Sequence, residues 1–204
     1  MNIEDVFRAV FWTLLVSMFL MRFWFGMGVW RTGERIRAEP GALEREGLWA
    51  HVVEYLFFLL LAALVPLLWF QGGSLRNFAY PAPDWLRWAG AGLGMASVAL
   101  FAWTHTVLGR FWSPYLQLRP GHRLIADGPY ARIRHPMYSA IVGWMISLGL
   151  VAANWIPFVF ATLSALNFTL RIQGEEKMMV QQFGDEYREY VKRTGRFLPL
   201  PPKI

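Results

Sequence analysis

Two stretches hold the residue types that could do chemistry. Gly128 to Tyr138 reads GPYARIRHPMY, a polar, proline-punctuated segment set directly against a long apolar run. Pro136 suits the first turn of a helix, where its missing N–H costs nothing, and His135 then falls at the capping position. The backbone N–H groups of Met137, Tyr138 and Ser139 would form a weakly positive helix mouth, suited to an anion such as a carboxylate. The second stretch is Arg171, Glu175 and Glu176, in which Arg171 and Glu175 lie one turn apart on one helix face. Facing GPYARIRHPMY, that pair would offer one group for an anion and one for an ammonium. Each stretch also has a plain structural reading, a loop entering a helix and an intrahelical ion pair. The residues alone leave both open.

The elements that must position these groups are apolar. Of 204 residues, 55% are hydrophobic and 17% aromatic, 11 of them Trp, and the mean hydropathy is +0.31. That exceeds a typical soluble domain and predicts an integral membrane protein. The absence of cysteine excludes a disulfide framework, a thiolate nucleophile and a Cys-based metal site, and the four histidines form no HExxH spacing, so no metal is expected. A formal charge of +6 is assigned to basic loops on the cytoplasmic side rather than to nucleic-acid binding.

The first apolar run, Val6 to Trp30, contains Arg22 and spans a bilayer only if that arginine faces protein, water or an interface. Acidic Glu4 and Asp5 ahead of it, with no small-residue cleavage pattern behind, argue against a signal peptide. After a solvated loop from Arg31 to Gly47 comes a second span, Leu48 to Phe70, with His51 and Glu54 near its start. Trp85 to Leu108 is the third, with Gly90, Gly92 and Gly94 for close packing and His105 read as a satisfied internal histidine. Gly109 to Ile133 is too long and polar for a plain connector. Met137 to Ala153 and Trp155 to Leu170 then form a helical hairpin turning at Asn154 and Pro157. Arg171 to Arg196 is expected as a charged helix, with Met179, Phe183, Tyr187 and Val191 at four-residue spacing. The fold class is thus all-α, an integral membrane helical bundle with about five transmembrane helices and a C-terminal cytoplasmic helix. It forms one domain over residues 1–204, with three N-terminal spans in 1–108 and the functional half in 109–204. The distribution of Arg and Lys among the loops predicts an outside N-terminus and a cytoplasmic C-terminus.

Three segments in order, GHRLIADGPYARIRHPMY (Gly121 to Tyr138), RIQGEE (Arg171 to Glu176) and FGDEYREY (Phe183 to Tyr190), resemble a known family. It is that of the isoprenylcysteine carboxyl methyltransferases, with the related phospholipid methyltransferases. The resemblance implies a multispan helical enzyme that uses S-adenosylmethionine on the cytoplasmic side without a Rossmann fold. It assigns cofactor contacts to Gln117, His122, Arg123, Leu124, Ile125, Tyr130, His135, Pro136, Met137, Tyr138 and Glu175, and places Arg171 towards the substrate. Gln117 is matched only across a gap. Met137 stands where eukaryotic members have Ser, a change that a backbone contact would survive. The chemistry agrees: the helix mouth suits the cofactor's carboxylate, Glu175 its ammonium, and the rings of Tyr130 and Tyr138 its sulfonium. The expected reaction is methyl transfer to a carboxylate of a lipidic or prenylated acceptor entering from the membrane lipids. Alternatives are N-methylation of a phospholipid amine and a non-catalytic membrane binding protein on the same scaffold.

Overall fold

A computed structural model describes residues 2–31, 77–113 and 121–201. The expected second span, with His51 and Glu54, lies outside the described residues, as does Gln117. Five α-helices are described: α1 (Ile3–Arg31), α2 (Asp84–Leu108), α3 (Pro136–Ala152), α4 (Ile156–Phe183) and α5 (Asp185–Arg193). The expected all-helical bundle is what forms, and α1, α2 and α3 begin and end within a few residues of the apolar runs that predict them.

The helices pack through small residues and an aromatic core. A Cβ at Gly90 would come within 2.5 Å of the Leu150 Cβ, and one at Gly94 within 2.5 Å of the Leu14 side chain, so α2 meets α3 and α1 almost backbone to side chain. Gly92 was expected to share this role, but nothing lies within 4 Å of the Cβ it would carry, because it falls on the opposite side of the helix. Phe7, Phe11, Leu14, Phe101, Trp144, Met145 and Leu148 fill the space between α1, α2 and α3, and the Trp144 indole N–H donates to the Leu14 carbonyl at 2.9 Å. That bond satisfies the one polar atom of a ring that is otherwise core.

Arg87 fixes the direction of the helices. It donates from Nη1 to Glu4 at 2.6 Å and from Nε to the Val151 carbonyl at 2.9 Å, with its guanidinium 3.8 Å from the Phe7 ring centroid. The starts of α1 and α2 and the end of α3 therefore share one face. At that face Tyr80 N–H donates to the Ala153 carbonyl and Trp155 N–H to the Phe78 carbonyl. The hairpin turn forms as expected, with Ala153 left-handed at φ 49° and the Asn154 side chain accepting from Ile156 N–H.

The C-terminal region departs from expectation. α4 does not end where its charges begin at Arg171 but runs unbroken to Phe183, and Gly184, at φ 54°, turns the chain into the separate short helix α5. The charge at Arg171 marks the edge of the apolar zone. The backbone has no reason to stop there, since Arg, Gln and Glu are good helix formers. Leu20, Phe23 and Trp24 on α1, Trp103 on α2 and Leu163, Leu166 and Leu170 on α4 all point away from the protein. A surface of that size and apolarity belongs against lipid. Ile3–Met27 and Asp84–Phe111 are each long and apolar enough to cross a membrane.

Candidate active site

The polar groups collect at the end of the bundle opposite Arg87. His135 caps α3 with Pro136 in its first turn, as the sequence predicts. The proposed helix mouth is narrower than expected: the Ser139 N–H is already taken by the His135 carbonyl at 3.3 Å, and its hydroxyl donates to the Phe197 carbonyl at 2.6 Å.

Glu175 is the centre of the site. Its Oε1 accepts from Arg171 Nε at 3.0 Å and from the Tyr138 hydroxyl, and His135 Nδ1 lies 3.4 Å from Oε2. Glu176 faces the other way, accepting from Arg134 Nε at 3.0 Å and from Arg196 Nη2 at 2.7 Å, with His135 Nε2 at 3.4 Å from its Oε1. The imidazole is thus clamped between two carboxylates. Burial disfavours its charged form, but both carboxylates outweigh burial and raise its pKa above the usual 6.5. Glu176 moves to about 2, burial being overcome by His135, Arg196 and Arg134. In Glu175, burial opposes ionisation but His135, Arg171 and Tyr138 hold the pKa below 4.5.

These shifts have a direction in pH. Because the folded pKa of His135 is raised, the clamp contributes fully below the unfolded value of 6.5 and is lost as pH climbs through the raised value. Glu176, depressed, contributes fully above 4.5 and loses its contribution as pH falls through about 2. Thermal unfolding followed across pH should show stability declining above 6.5. His135→Asn should remove that slope; an unaltered slope would show that another group titrates.

The loop carrying Arg134 and His135 is tied down by the C-terminal segment. Arg134 N–H donates to the Gly195 carbonyl at 2.8 Å, His135 N–H to the Arg196 carbonyl at 3.0 Å, and Gly195 N–H returns to the Arg132 carbonyl at 3.0 Å. Arg134 Nη1 donates to the Val191 carbonyl at 3.2 Å and to the Thr194 carbonyl, while the Tyr190 hydroxyl donates to the Tyr130 carbonyl at 2.7 Å. A short strap over residues 194–197 thereby fixes the two residues that hold Glu175 and Glu176.

A cavity of about 200 Å³ opens beside this cluster. Of the residues assigned by resemblance, His122, Leu124, Ile125, Tyr130, His135, Met137, Tyr138, Arg171 and Glu175 line it together. Arg123 is instead exposed, and Pro136 is buried off the lining. The Tyr138 ring stacks on Phe168 at 4.3 Å, so it is the hydroxyl that it directs into the ion cluster. Arg22, Trp112 and Met178 also line the cavity and were not foreseen there, as do Arg134 and Tyr187, which fall in GPYARIRHPMY and FGDEYREY but were given no contact of their own. Of the first three, only Arg22 carried a signal, as a charge inside an apolar run. His105 is half satisfied: Nδ1–H donates to the Phe101 carbonyl at 3.1 Å, but Nε2 is buried with no partner among the described residues.

Residues 91–181 match the model of the isoprenylcysteine carboxyl methyltransferase (ICMT) family. The resemblance read from the sequence is borne out. The match covers the cavity-forming part of α2, the GPYARIRHPMY loop, α3 and nearly all of α4, and leaves out α1, α5 and the strap. A protein-S-isoprenylcysteine O-methyltransferase of Schizosaccharomyces pombe is 34% identical over 40% of this chain and 35% of its own length. The cobalt-zinc-cadmium resistance protein CzcN of Cupriavidus metallidurans is 31% identical over 52% of this chain and 48% of its own. The chain therefore spans less than half the length of these curated relatives. Its fold is similar, at a TM-score of 0.53 and 18% identity over 98% of this chain and 87% of the other, to the eukaryotic intramembrane Ras methyltransferase ICMT. The likeness shows a shared helical fold.

Proposed function

We propose that the chain transfers a methyl group from S-adenosylmethionine to a carboxylate of a lipidic or prenylated acceptor. The observation that carries this reading is Glu175, half-buried in the cavity wall and held by Arg171, Tyr138 and His135 within the segment matched to the family. The residues fit the cofactor. A carboxylate offers about four lone-pair positions, and three donors leave one on Glu175 Oε2 for an ammonium. His122 Nδ1 is buried at the cavity with no partner among the described residues, open to a polar ligand atom. Burial also lowers its pKa, which keeps it neutral. Glu175 and His122 would hold the cofactor, together with the first turn of α3. When bound, it supplies an electrophilic methyl group on a sulfonium.

The chain's own part is to align and to exclude water. Leu108, Phe111, Ile141 and Phe168 give the cavity apolar lining suited to an apolar tail. A carboxylate oxygen attacks as it stands, forming the C–O bond as the methyl–sulfur bond breaks, and no proton moves. An amine acceptor needs a base, and the charged cluster supplies a poor one: the neighbouring carboxylates shift His135 towards its protonated form, and His135, Arg171 and Tyr138 shift Glu175 towards its ionised form. The amine reading would fall to neutral His122 and is distinguished by the mass and base-lability of the product.

Arg171 would face the acceptor as well as hold Glu175. Arg171→Ala is expected to abolish most single-turnover methyl transfer while weakening cofactor affinity less than loss of Glu175 does. Arg171→Lys should recover little, since an ammonium lacks the planar fork that matches both carboxylates. Full activity of the Lys variant would contradict the orienting role.

The orientation proposed is an outside N-terminus with the site on the cytoplasmic side, supported by the basic loops and by the site's position at the end of the bundle away from Glu4. Reporter fusions after Asn77 and Lys203 should report opposite sides of the membrane, and the same side for both would overturn it.

A further inference from the structure

Arg22 is the only charged side chain between Arg8 and Arg31. A charge inside an apolar span is tolerated where it faces protein or a polar cavity, and such residues mark substrate paths. Arg22 lines the same cavity as Arg171 and Glu175. Its guanidinium lies 5.8 Å from the Trp112 ring centroid, Trp112 packs on His105 at 5.2 Å, and His105 stacks on Phe25 at 4.9 Å. This aromatic collar includes a buried imidazole nitrogen, His105 Nε2, without a partner among the described residues. The next two residues of α1, Phe23 and Trp24, are exposed on the lipid-facing side. Arg22 thus stands where the apolar wall of the cavity meets the bilayer, on a helix outside the segment matched to the family.

We propose that Arg22 is a positioning residue that binds the anionic end of the amphiphilic acceptor as it passes from the bilayer into the cavity. This rests on the methyl-transfer reading above for the identity of the acceptor, but not for the anion site itself. A guanidinium is planar and weakly hydrated, so it can stack on Trp112 and still present its N–H fork to a carboxylate or phosphate. The shared chemistry is an anion at the end of an apolar chain, and it can come from an acceptor carboxylate or a lipid headgroup. Arg22 and Arg171 would then act in sequence, the first at the lipid-facing wall and the second beside Glu175.

The test is binding, without turnover, of N-acetylated farnesylcysteine, whose one charge is its carboxylate, and of its uncharged amide, to the full chain in nanodiscs of phosphatidylcholine, with and without phosphatidylglycerol. Wild type should prefer the carboxylate form. Arg22→Gln should reduce that preference by about one to two decades, the worth of a charge-assisted contact, leaving S-adenosylmethionine affinity and thermal stability unchanged. Arg22→Lys, which keeps the charge without the fork, should fall between and guards against a folding defect in the Gln variant. Competition by phosphatidylglycerol that depends on Arg22, with no preference between N-acetylated farnesylcysteine and its amide, would assign the site to lipid phosphate. An undiminished preference for the carboxylate in Arg22→Gln would overturn the proposal. Arg22-dependent binding without any methyl transfer would instead leave the anion site standing and remove the enzymatic reading.

Discussion

Glu175→Ala is expected to lower S-adenosylmethionine affinity by at least one to two decades, the loss of one charge-assisted contact worth about 1.5 to 3 kcal/mol. The effect should lie at the upper end. Truncation removes the ammonium partner and also orphans the donors from Arg171, Tyr138 and His135 that converge on this carboxylate. Glu175→Gln keeps the shape but loses the charge, and should recover little. Calorimetry on folded, detergent-solubilised variants measures this directly, and unchanged affinity would remove Glu175 from the cofactor site. From its place one residue further round the helix, Glu176 would be expected to matter less. Its three basic partners revise that: Glu176→Ala should act on stability, by releasing Arg134, Arg196 and His135, before it acts on the cofactor.

Gly195→Ala should detach the strap. A Cβ there would sit 1.7 Å from the Leu198 carbonyl oxygen, a contact with backbone that no rotamer change can relieve. The bonds from Arg134 and His135 N–H and back to the Arg132 carbonyl would be lost together. At about 1 kcal/mol net for each, the cost is on the order of 3 kcal/mol. Limited proteolysis should then cut the C-terminal segment faster, and cofactor affinity should fall with it because the strap sets His135. A variant with native protease resistance and weakened binding would break that link.

How far the sequence could be read depended on whether the signal was local. Sustained apolarity, broken in α2 by Arg87 and His105, marked α2 and α3 almost to the residue, and Asn154 with Pro157 marked the turn between α3 and α4, because membrane spans and turn chemistry are written in neighbouring residues. Leu170 was read as the end of the second hairpin span and Arg171 to Arg196 as one charged helix; the backbone runs on through Arg171, and Gly184, thirteen residues beyond it, carries the signal for the break. Gly90, Gly92 and Gly94 looked equivalent, yet only packing against α1 and α3 decides which of them is needed. The parallel pairing of Ile133 with Gly195 joins segments about sixty residues apart and leaves no periodicity to detect. Arg22 was visible as an anomaly, but its destination depended on where α1 packs. Within the site, the His135–Pro136 cap was legible, whereas the loss of the Ser139 N–H to the His135 carbonyl was not.

Methyl transfer to a carboxylate is tested most directly by product analysis after incubating the purified full chain with methyl-labelled S-adenosylmethionine and N-acetylated farnesylcysteine. Label should appear in the acceptor as a base-labile methyl ester, with none on the amide analogue, and Glu175→Ala should abolish it. Label recovered as a base-stable N-methyl group on a phospholipid amine, or binding of the cofactor with no acceptor-dependent transfer from a lipid extract, would contradict the account.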